Sequence, residues 1–311
     1  MTQDRLDMKV QIAEMYYRQN MSQQEIAKAV NMSRTTVSRI LKLCIDEGIV
    51  TIHIKNTSSY QYELERKLQE KYGLKYACVV NGQNDFETST KMMGEALADY
   101  LDKIVNHNFK IGISAGTTVA NMIYELHKIE DYNIDVYQMQ GDASHQTSNC
   151  SSFLAIELAR VLGGTPHAIH APLLVHTKIL RDLFMEEPFN KNHFQELEHL
   201  DVAIVGLGLL DAILPTTSDT WYNFAVEREE LRKSVIGDMC GRFIDANNQV
   251  ANVDIQTRTI SIDLNNMKKI PYSIAVACGR KKRNIARAAI KGGFVNVLMT
   301  DEALAKALLE E

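Results

Sequence analysis

Residues 22–43 read SQQEIAKAVNMSRTTVSRILKL and predict two short helices joined by a tight turn. Ser22 and Glu25 have the spacing of a capping box, in which each side chain accepts a hydrogen bond from the backbone N–H of the other residue. A helix is therefore expected to begin at Gln23. Asn31 follows this helix, and asparagine is one of the few residues that adopt a left-handed conformation at low cost. The chain is thus expected to turn at Asn31 and to enter a second helix.

The second helix has an apolar side and a basic side. Val37, Ile40, Leu41 and Cys44 recur at helical spacing, which predicts a face that packs into a core. The opposite side carries arginines and hydroxyl groups, and residues 33–45 contain no acid. Arginine pairs bidentately with guanine, hydroxyl groups reach bases or phosphates, and a helix amino terminus favours phosphate.

This pattern predicts a helix-turn-helix that reads double-stranded operator DNA. The competing interpretation is a solvated helix pair with ordinary surface charges. Residues 47–54, EGIVTIHI, alternate like a small hairpin and would make the unit winged. The expected DNA-contacting residues are Gln23, Ser33, Arg34, Thr35, Thr36, Ser38 and Arg39.

Length and charge agree with a separate amino-terminal domain. At roughly 150 residues per domain, a chain of 311 residues suggests two domains. The net charge of −5 excludes a uniformly basic coat on nucleic acid, but residues 1–56 hold eight Lys and Arg against six Asp and Glu, and the remainder holds 26 against 33. Residues 57–59, Thr-Ser-Ser, are typical of a linker. We therefore expect one domain over residues 1–56 and a second over residues 57–311, beginning with a linker helix.

From residue 76 onward, short β-branched or apolar runs alternate with helical patterns. Such alternation predicts an α/β fold built on a mostly parallel sheet. The expected strands are residues 77–80, 110–114, 134–139, 201–205, 273–277 and 295–299, and the clearest helices are 60–72, 117–127, 153–162, 283–291 and 301–309.

Glycines and polar residues follow several of these strands, where ligands collect in open α/β sheets. Residues 112–118, GISAGTT, combine glycines that let a ligand approach the backbone with hydroxyl donors and a following helix amino terminus. This loop suits phosphate or a polyol, although a glycine turn here can also be purely structural. Gly141-Asp142 and Gly206 follow two further strands. Lys282 belongs to a run of cations that is either a solvated helix face or a binding site for an anionic group.

Five motifs, taken in order, resemble those of SorC/DeoR-like bacterial transcriptional regulators. They are residues 22–43, 112–118, 203–208 (AIVGLG), 237–243 (GDMCGRF) and 291–301 (KGGFVNVLMTD), so the match runs nearly end to end. The resemblance implies a winged helix-turn-helix joined to a Rossmann-type domain similar to sugar-phosphate isomerases. It also implies homodimers or homotetramers in which a bound sugar or phosphosugar modulates operator binding.

The resemblance suggests roles for individual residues. Loop 114–118 looks like a phosphate-binding loop, Asp238 like a carboxylate that binds hydroxyl groups, and Lys282 like the basic residue after the last core strand. Where the family usually has a Gly-Gly pair, this chain has Gly141-Asp142, and a carboxylate there would repel phosphate but could bind hydroxyl groups. Gln140 is an amide and not a lysine, so no Schiff base with an open-chain sugar can form at that position. The expected effector-binding residues are Gly112, Ser114, Gly116, Thr117, Thr118, Gly141, Asp142, Gly206, Asp238 and Lys282.

We therefore expect a ligand-responsive regulator of a carbohydrate-utilisation operon, and not an enzyme. One alternative is a sugar-phosphate isomerase or deaminase that carries a DNA-binding module. That enzyme would need Asp142, His145 or Asp238 as a general base. Another alternative is a constitutive architectural DNA binder, which would have no ligand.

Several other properties are expected to be absent. The amino terminus lacks the basic-then-apolar pattern of a secretory signal, and no run of about 18 apolar residues occurs, so we expect a cytoplasmic protein without membrane contact. The five cysteines are an odd number with no CxxC pair, so reduced thiols and no metal site are expected. Asp211 and Pro215 depart from the dinucleotide-binding pattern, and no cofactor is expected.

Overall fold

The computed structural model describes residues 3–50, 61–82, 85–126, 133–143, 149–210 and 231–310, with side chains from residue 6 onward. The chain divides into two compact units, Met1–Thr57 and Ser58–Glu311. Five features named above lie outside the described residues: the expected wing strand at 51–54, the linker at 57–59, His145, Asp211 and Pro215.

Within the described residues, the first unit consists of three helices: α1 (Gln3–Tyr17), α2 (Gln23–Ala29) and α3 (Arg34–Asp46). Helix α2 begins at the predicted residue, and both hydrogen bonds of the capping box at its start are formed. Asn31 adopts the left-handed conformation, with a φ of 55°. The helices enclose a small core formed by Ile12, Ile26, Ala27, Val37 and Leu41. Local signals therefore predicted α2, the turn and α3, because caps and turns depend on neighbouring residues alone. Helix α1 was not predicted.

A seven-stranded parallel sheet forms the centre of the second unit. Its strands are β1 (Tyr76–Val80), β2 (Lys110–Ile113), β3 (Asp135–Gln138), β4 (Thr165–His167), β5 (Val202–Gly206), β8 (Tyr272–Ala277) and β9 (Val297–Asp301), while β6 (Gly237–Met239) and β7 (Arg242–Ile244) form a separate antiparallel hairpin. The strand order is β1-β9-β8-β5-β2-β3-β4. The chain passes from β2 to β3 and β4 in one direction and resumes with β5 on the other side of β2. The order therefore reverses between β2 and β5.

Helices cover both faces of this sheet. In chain order they are α4 (Tyr62–Tyr72), α5 (Phe86–Ile104), α6 (Thr117–Tyr124), α7 (Ser151–Leu162), α8 (Lys178–Glu186), α9 (Pro188–Glu196), α10 (Leu264–Met267), α11 (Arg283–Lys291) and α12 (Glu302–Leu309). Helices α5, α6 and α7 pack on one face and α4, α11 and α12 on the other. Residues of β5 alternate between the two cores, with Ile204 in the first and Ala203 and Val205 in the second.

The edge strand β1 is paired with helix α4 on its outer side. The backbone N–H of Gln61 donates to the carbonyl oxygen of Val79 at 3.0 Å, and the N–H of Val79 donates to the carboxylate of Glu65 at 2.8 Å. Burial raises the pKa of Glu65, and the hydrogen bond from Val79 opposes this effect. The outward-facing backbone groups of Val79 are therefore satisfied by the helix that follows the linker.

The six predicted strands lie within two residues of the observed ones, but helices α1, α5, α8, α9 and α10, strand β4 and the β6–β7 hairpin were not predicted. Helix α5 contains Gly94, where an added Cβ would lie 2.8 Å from the carbonyl oxygen of Met122. This glycine lets α5 and α6 approach closely, at a cost in helix propensity that weakens the sequence signal.

Among the described residues, no helix combines the length and the apolarity needed to cross a bilayer.

Candidate functional site

The basic side of α3 faces solvent. Its exposed residues are Arg34, Thr35, Ser38, Arg39 and Lys42. Ser33 caps the helix: its hydroxyl accepts a hydrogen bond from the N–H of Thr36 at 3.1 Å and lies 2.8 Å from the hydroxyls of both Thr35 and Thr36. Gln23, at the start of α2, is half-buried, as is Thr36. The start of α3 therefore presents cations, hydroxyl groups and a helix amino terminus together, which is the chemistry of a DNA-reading surface.

A second candidate site lies at the carboxyl edge of the parallel sheet. Because β3, β2, β5, β8 and β9 are consecutive neighbours in the sheet, the segments after them meet along one edge. In that order, the strand ends bring together Asp142, Ser114, Gly206, Lys282 and Asp301. The reversal of strand order between β2 and β5 falls in the middle of this edge, and open α/β sheets bind ligands at such a point.

Ser114 and Gly206 connect the two loops at the reversal. The N–H of Gly206 donates to the hydroxyl of Ser114 at 3.0 Å. Gly116 follows with a φ of 139°, which favours glycine, and an added Cβ would meet none of the described atoms within 4 Å. Helix α6 begins at Thr117, so its first backbone N–H groups have no partner within the helix. An open loop of this kind at a helix amino terminus suits a phosphate.

Asp142 is held against the start of α7. Its Oδ1 accepts hydrogen bonds from the amide of Gln138 at 3.1 Å, from the hydroxyl of Ser151 at 3.3 Å and from the N–H of Ser152 at 3.2 Å. Helix N–H groups and the positive end of the helix dipole stabilise a carboxylate in this position. Part of the negative charge of Asp142 is thus compensated within the chain.

The β6–β7 hairpin brings Asp238 to the carboxyl end of β5. Asp238 and Gly208 exchange two backbone hydrogen bonds, at 2.9 and 3.1 Å. The two-residue turn of the hairpin, Cys240-Gly241, has φ values of 54° and 69°, as in a type I′ turn. The N–H of Gly241 donates to the carboxylate of Asp238 at 3.0 Å, so the turn fixes the orientation of this side chain.

Asp238 and Lys282 form the charged part of the site. Burial raises the pKa of Asp238 to about 6, opposed by the N–H of Gly241 and by the charge of Lys282. Burial likewise lowers the pKa of Lys282, and Cys278, Asp238 and Asp301 oppose this effect. A partly desolvated carboxylate beside an ammonium group can accept hydrogen bonds from hydroxyl groups and bind an anion.

Asp301 positions the loop that carries Lys282. Its carboxylate accepts hydrogen bonds from the N–H of Gly279, at 3.0 and 3.1 Å, and from the N–H of Leu304, at 2.9 Å. These bonds tie the end of β8 to the start of α12. Asp301 therefore orients the loop and adds a second negative charge near Lys282.

At two of the glycines predicted to bind the effector, packing within the chain already requires the absence of a side chain. A Cβ on Gly112 would lie 2.6 Å from side-chain atoms of both Leu200 and Met139, inside the sheet. A Cβ on Gly141 would lie 2.5 Å from the backbone of Pro172. Gly206 is less constrained, since its nearest contact would be the side chain of Val119 at 3.3 Å.

Sequence reasoning missed Gln138 and Asp301. The amide of Gln138 is fully buried and also donates to the carbonyl oxygen of Gln140 at 2.7 Å, while its oxygen accepts from the N–H of Ile169 at 2.7 Å. A polar residue at the end of an apolar strand was the available signal in both cases, because buried polar groups require partners.

Known protein families match both the helix-turn-helix unit and the α/β unit of the chain. Residues 57–310 match the family model described as "Putative sugar-binding domain", and residues 13–51 match the model of a winged helix-turn-helix DNA-binding domain. The predicted winged helix-turn-helix and α/β effector domain are thereby confirmed.

Similar proteins of known role match over nearly their whole length. The chain is 30% identical to the sorbitol operon regulator of Klebsiella pneumoniae over 97% of each chain. It is 28% identical to the deoxyribonucleoside regulator of Bacillus subtilis over 100% of each. The crystal structure of the full-length sorbitol operon regulator SorC from Klebsiella pneumoniae has a TM-score of 0.82 at 29% identity and covers 98% of this chain and 99% of that one. Because the sugar-binding model spans most of the chain and the relatives that match over nearly their whole length are regulators, the chain belongs to the SorC-type family of sugar-responsive transcriptional regulators.

Proposed function

We propose that the effector is a phosphosugar bound at the carboxyl edge of the sheet. The phosphate would lie on loop 114–118 at the start of α6, the sugar hydroxyls would hydrogen-bond to Asp238, and Lys282 would bind the anionic part of the ligand. Gly141, Asp142 and Gly206 would form the wall of the cleft between these groups.

The observation that carries this proposal is the open loop at Gly116. Its positive φ, and the absence of any described atom within 4 Å of an added Cβ, leave room for a bulky anion. Such an anion would lie next to the first N–H groups of α6, which have no partner within the helix, and next to the hydroxyls of Ser114, Thr117 and Thr118. Asp142 is expected to repel a phosphate less than an isolated carboxylate would, because Gln138, Ser151 and Ser152 donate hydrogen bonds to it.

A thermal-shift panel tests this assignment. The full-length protein is heated with sugars, with the corresponding phosphosugars and with inorganic phosphate, each over a range of concentrations. A ligand that binds only the folded state raises Tm with concentration. We expect phosphosugars to raise Tm more than their unphosphorylated parents. An equal response to both would remove the phosphate from the proposal, and no response would contradict the effector site.

For the amino-terminal unit, we propose that α3 enters the major groove. Arg34, Ser38 and Arg39 would approach base edges, while Gln23, Ser33, Thr35 and Thr36 would contact phosphates or bases at the groove edge. The domain boundary would follow residue 56, with DNA binding before it and effector binding and oligomerisation after it. The division of the chain into two compact units between Thr57 and Ser58 supports this placement. The protein would act in the cytoplasm, where it meets operator DNA, as a homodimer or homotetramer.

We also propose that the cleft binds its ligand without turnover. The known roles of the full-length relatives support this view, since the two named above are regulators. Burial raises the pKa of Asp238 to about 6, so Asp238 would be the base of an enzyme. Incubation with the phosphosugars that raise Tm, followed by product analysis, decides the matter: recovered substrate is expected, and conversion that Asp238→Asn abolishes would favour an enzyme.

A further inference from the structure

Asp142 uses only one of its two carboxylate oxygens within the described part of the chain. Its Oδ1 accepts hydrogen bonds from Gln138, Ser151 and Ser152, at 3.1, 3.3 and 3.2 Å. None of the described residues donates a hydrogen bond to Oδ2, and Asp142 is half-buried after the end of β3. A carboxylate can accept about four hydrogen bonds, so Oδ2 keeps its capacity for a ligand.

The amide of Gln138 decides which kind of atom must stand at Oδ1. Its Oε1 accepts a hydrogen bond from the N–H of Ile169 at 2.7 Å, so its Nε2 lies on the other side, where it donates to the carbonyl oxygen of Gln140 and to Asp142. Gln138 is fully buried, and a flipped amide would bring its N–H groups against the N–H of Ile169. The chain therefore requires an acceptor at Oδ1 of residue 142 but makes no such demand on the second atom.

The backbone around Asp142 is held as firmly as the side chain. The carbonyl oxygen of Asp142 accepts a hydrogen bond from the N–H of Leu173, and the N–H of Gly141 donates to the carbonyl oxygen of Ile260, both at 3.0 Å. Asp142 also forms a parallel β-bridge with Pro172. The carboxylate can therefore leave its place only if several of these bonds break.

Asp142 lies beside the proposed phosphate loop. The carbonyl oxygen of Asn149 accepts a hydrogen bond from the N–H of Gly116 at 3.2 Å, and the amide of Asn149 donates to the hydroxyl of Thr117 at 3.4 Å. Three residues later, the N–H of Ser152 donates to Asp142. One short segment, residues 149–152, thus contacts both the loop and the carboxylate.

The charges on this side of the cleft disfavour a second anionic group. Residues 139–143 and 149–152 contain no Lys or Arg. A phosphate on loop 114–118 would have the N–H groups at the start of α6, whereas a second anion beside Oδ2 would face a carboxylate without a compensating cation. A hydroxyl group would instead donate a hydrogen bond to Oδ2.

We infer that Asp142 determines the specificity of the effector site: its Oδ2 accepts a hydroxyl group of the ligand and excludes a second phosphate or carboxylate. This inference rests on the proposed function and narrows it to sugars that carry one phosphate. Of the cleft residues, Asp142 would thus select among phosphosugars, while the loop at Gly116 would bind the phosphate that they share.

Calorimetric titration of the full-length protein at fixed ionic strength tests the inference. The probes are ribose 5-phosphate, fructose 6-phosphate and glucose 6-phosphate, each paired with the bisphosphate of the same sugar, and the most tightly bound pair is followed. We expect wild type to bind the monophosphate about tenfold or more tightly than the bisphosphate, since one like charge nearby costs about this factor.

Asp142→Asn is the decisive variant. It keeps an acceptor for Gln138, Ser151 and Ser152, but it removes the charge and places an amide N–H₂ at the second position. The preference for the monophosphate is expected to fall by about tenfold. The ratio of two dissociation constants on one variant is independent of the fraction of protein that is folded, so a loss of stability does not imitate this result.

Asp85→Asn is the matched control. Asp85 also caps a helix, since its carboxylate accepts a hydrogen bond from the N–H of Thr88 at 2.7 Å at the start of α5. It follows β1, which lies five places from β3 in the strand order. The same chemical change there is expected to leave the preference of wild type intact.

The inference is overturned if wild type binds the bisphosphate as tightly as the monophosphate, if Asp142→Asn keeps the wild-type ratio, or if Asp85→Asn changes the ratio equally. In these cases binding of phosphosugars by wild type still supports the proposed function. If wild type binds no phosphosugar at all, the proposed function is wrong and the inference falls with it.

Discussion

The hydroxyl of Ser114 accepts a hydrogen bond from the backbone N–H of Gly206 at 3.0 Å, across the point where the strand order of the sheet reverses. Ser114 is buried, so this bond joins the loops after β2 and β5 away from water. One side chain therefore shapes the floor of the cleft and fixes the beginning of the proposed phosphate loop.

Ser114→Ala is expected to lower the free energy of unfolding by about 1–3 kcal/mol, because the N–H of Gly206 loses its acceptor. The phosphosugar thermal shift is expected to weaken as well. Denaturant unfolding measures the first effect. Thr117→Ala, which changes an exposed hydroxyl of the same loop, is expected to alter the free energy of unfolding by less than about 0.5 kcal/mol. Equal stability of Ser114→Ala and wild type would contradict a structural role for this bond.

Arg34→Ala and Arg39→Ala are each expected to weaken operator binding by roughly 1–3 kcal/mol, since either arginine can pair with a base edge. Gel-shift titration at fixed salt measures the change. Arg18→Ala is the control of equal charge, because Arg18 lies beyond the end of α1 and pairs with Glu14. Wild-type affinity in both α3 variants would mean that another surface reads DNA.

Lys282→Ala is expected to abolish the ligand-induced change in DNA binding and to leave the affinity of the ligand-free protein for DNA intact, because Lys282 lies in the effector-binding unit. Gel shifts with and without phosphosugar make the comparison. The adjacent exposed cation supplies the control variant, Lys281→Ala, which should respond as wild type does. A normal response from Lys282→Ala would place the anion site elsewhere.

Asp238 predicts a pH dependence of stability. Its pKa is raised in the folded protein to about 6, from an ordinary value near 3.8. Between these values the folded state binds more protons than the unfolded state, so this group's contribution to stability is lost as the pH rises through about 6. Unfolding free energies of wild type and Asp238→Asn, measured from pH 4 to pH 7.5, should diverge in that window, with wild type losing stability relative to the variant as the pH rises. Parallel profiles would show that Asp238 does not titrate there.

The helix-turn-helix of α2 and α3 could be predicted nearly to the residue, because the signals at Ser22, Asn31 and Ser33 are local, whereas α1 was not predicted. The strand ends of the effector unit were also predictable from alternating apolar runs. The contacts within the cleft could not be predicted, because they depend on distant parts of the chain meeting in space. Examples are the packing of Gly112 against Met139 and the hydrogen bond from the start of α7 to Asp142.

The pairing of α4 with β1 has a consequence for how the effector domain can be isolated. A fragment that begins at residue 61 keeps both hydrogen bonds to Val79, whereas a fragment that begins after Glu65 loses them and exposes the outer edge of β1. An uncovered parallel edge rich in valine is a template for strands of other molecules. Helix α4 thus protects the edge strand from intermolecular pairing. The shorter fragment is expected to precipitate at concentrations where the longer one stays in solution.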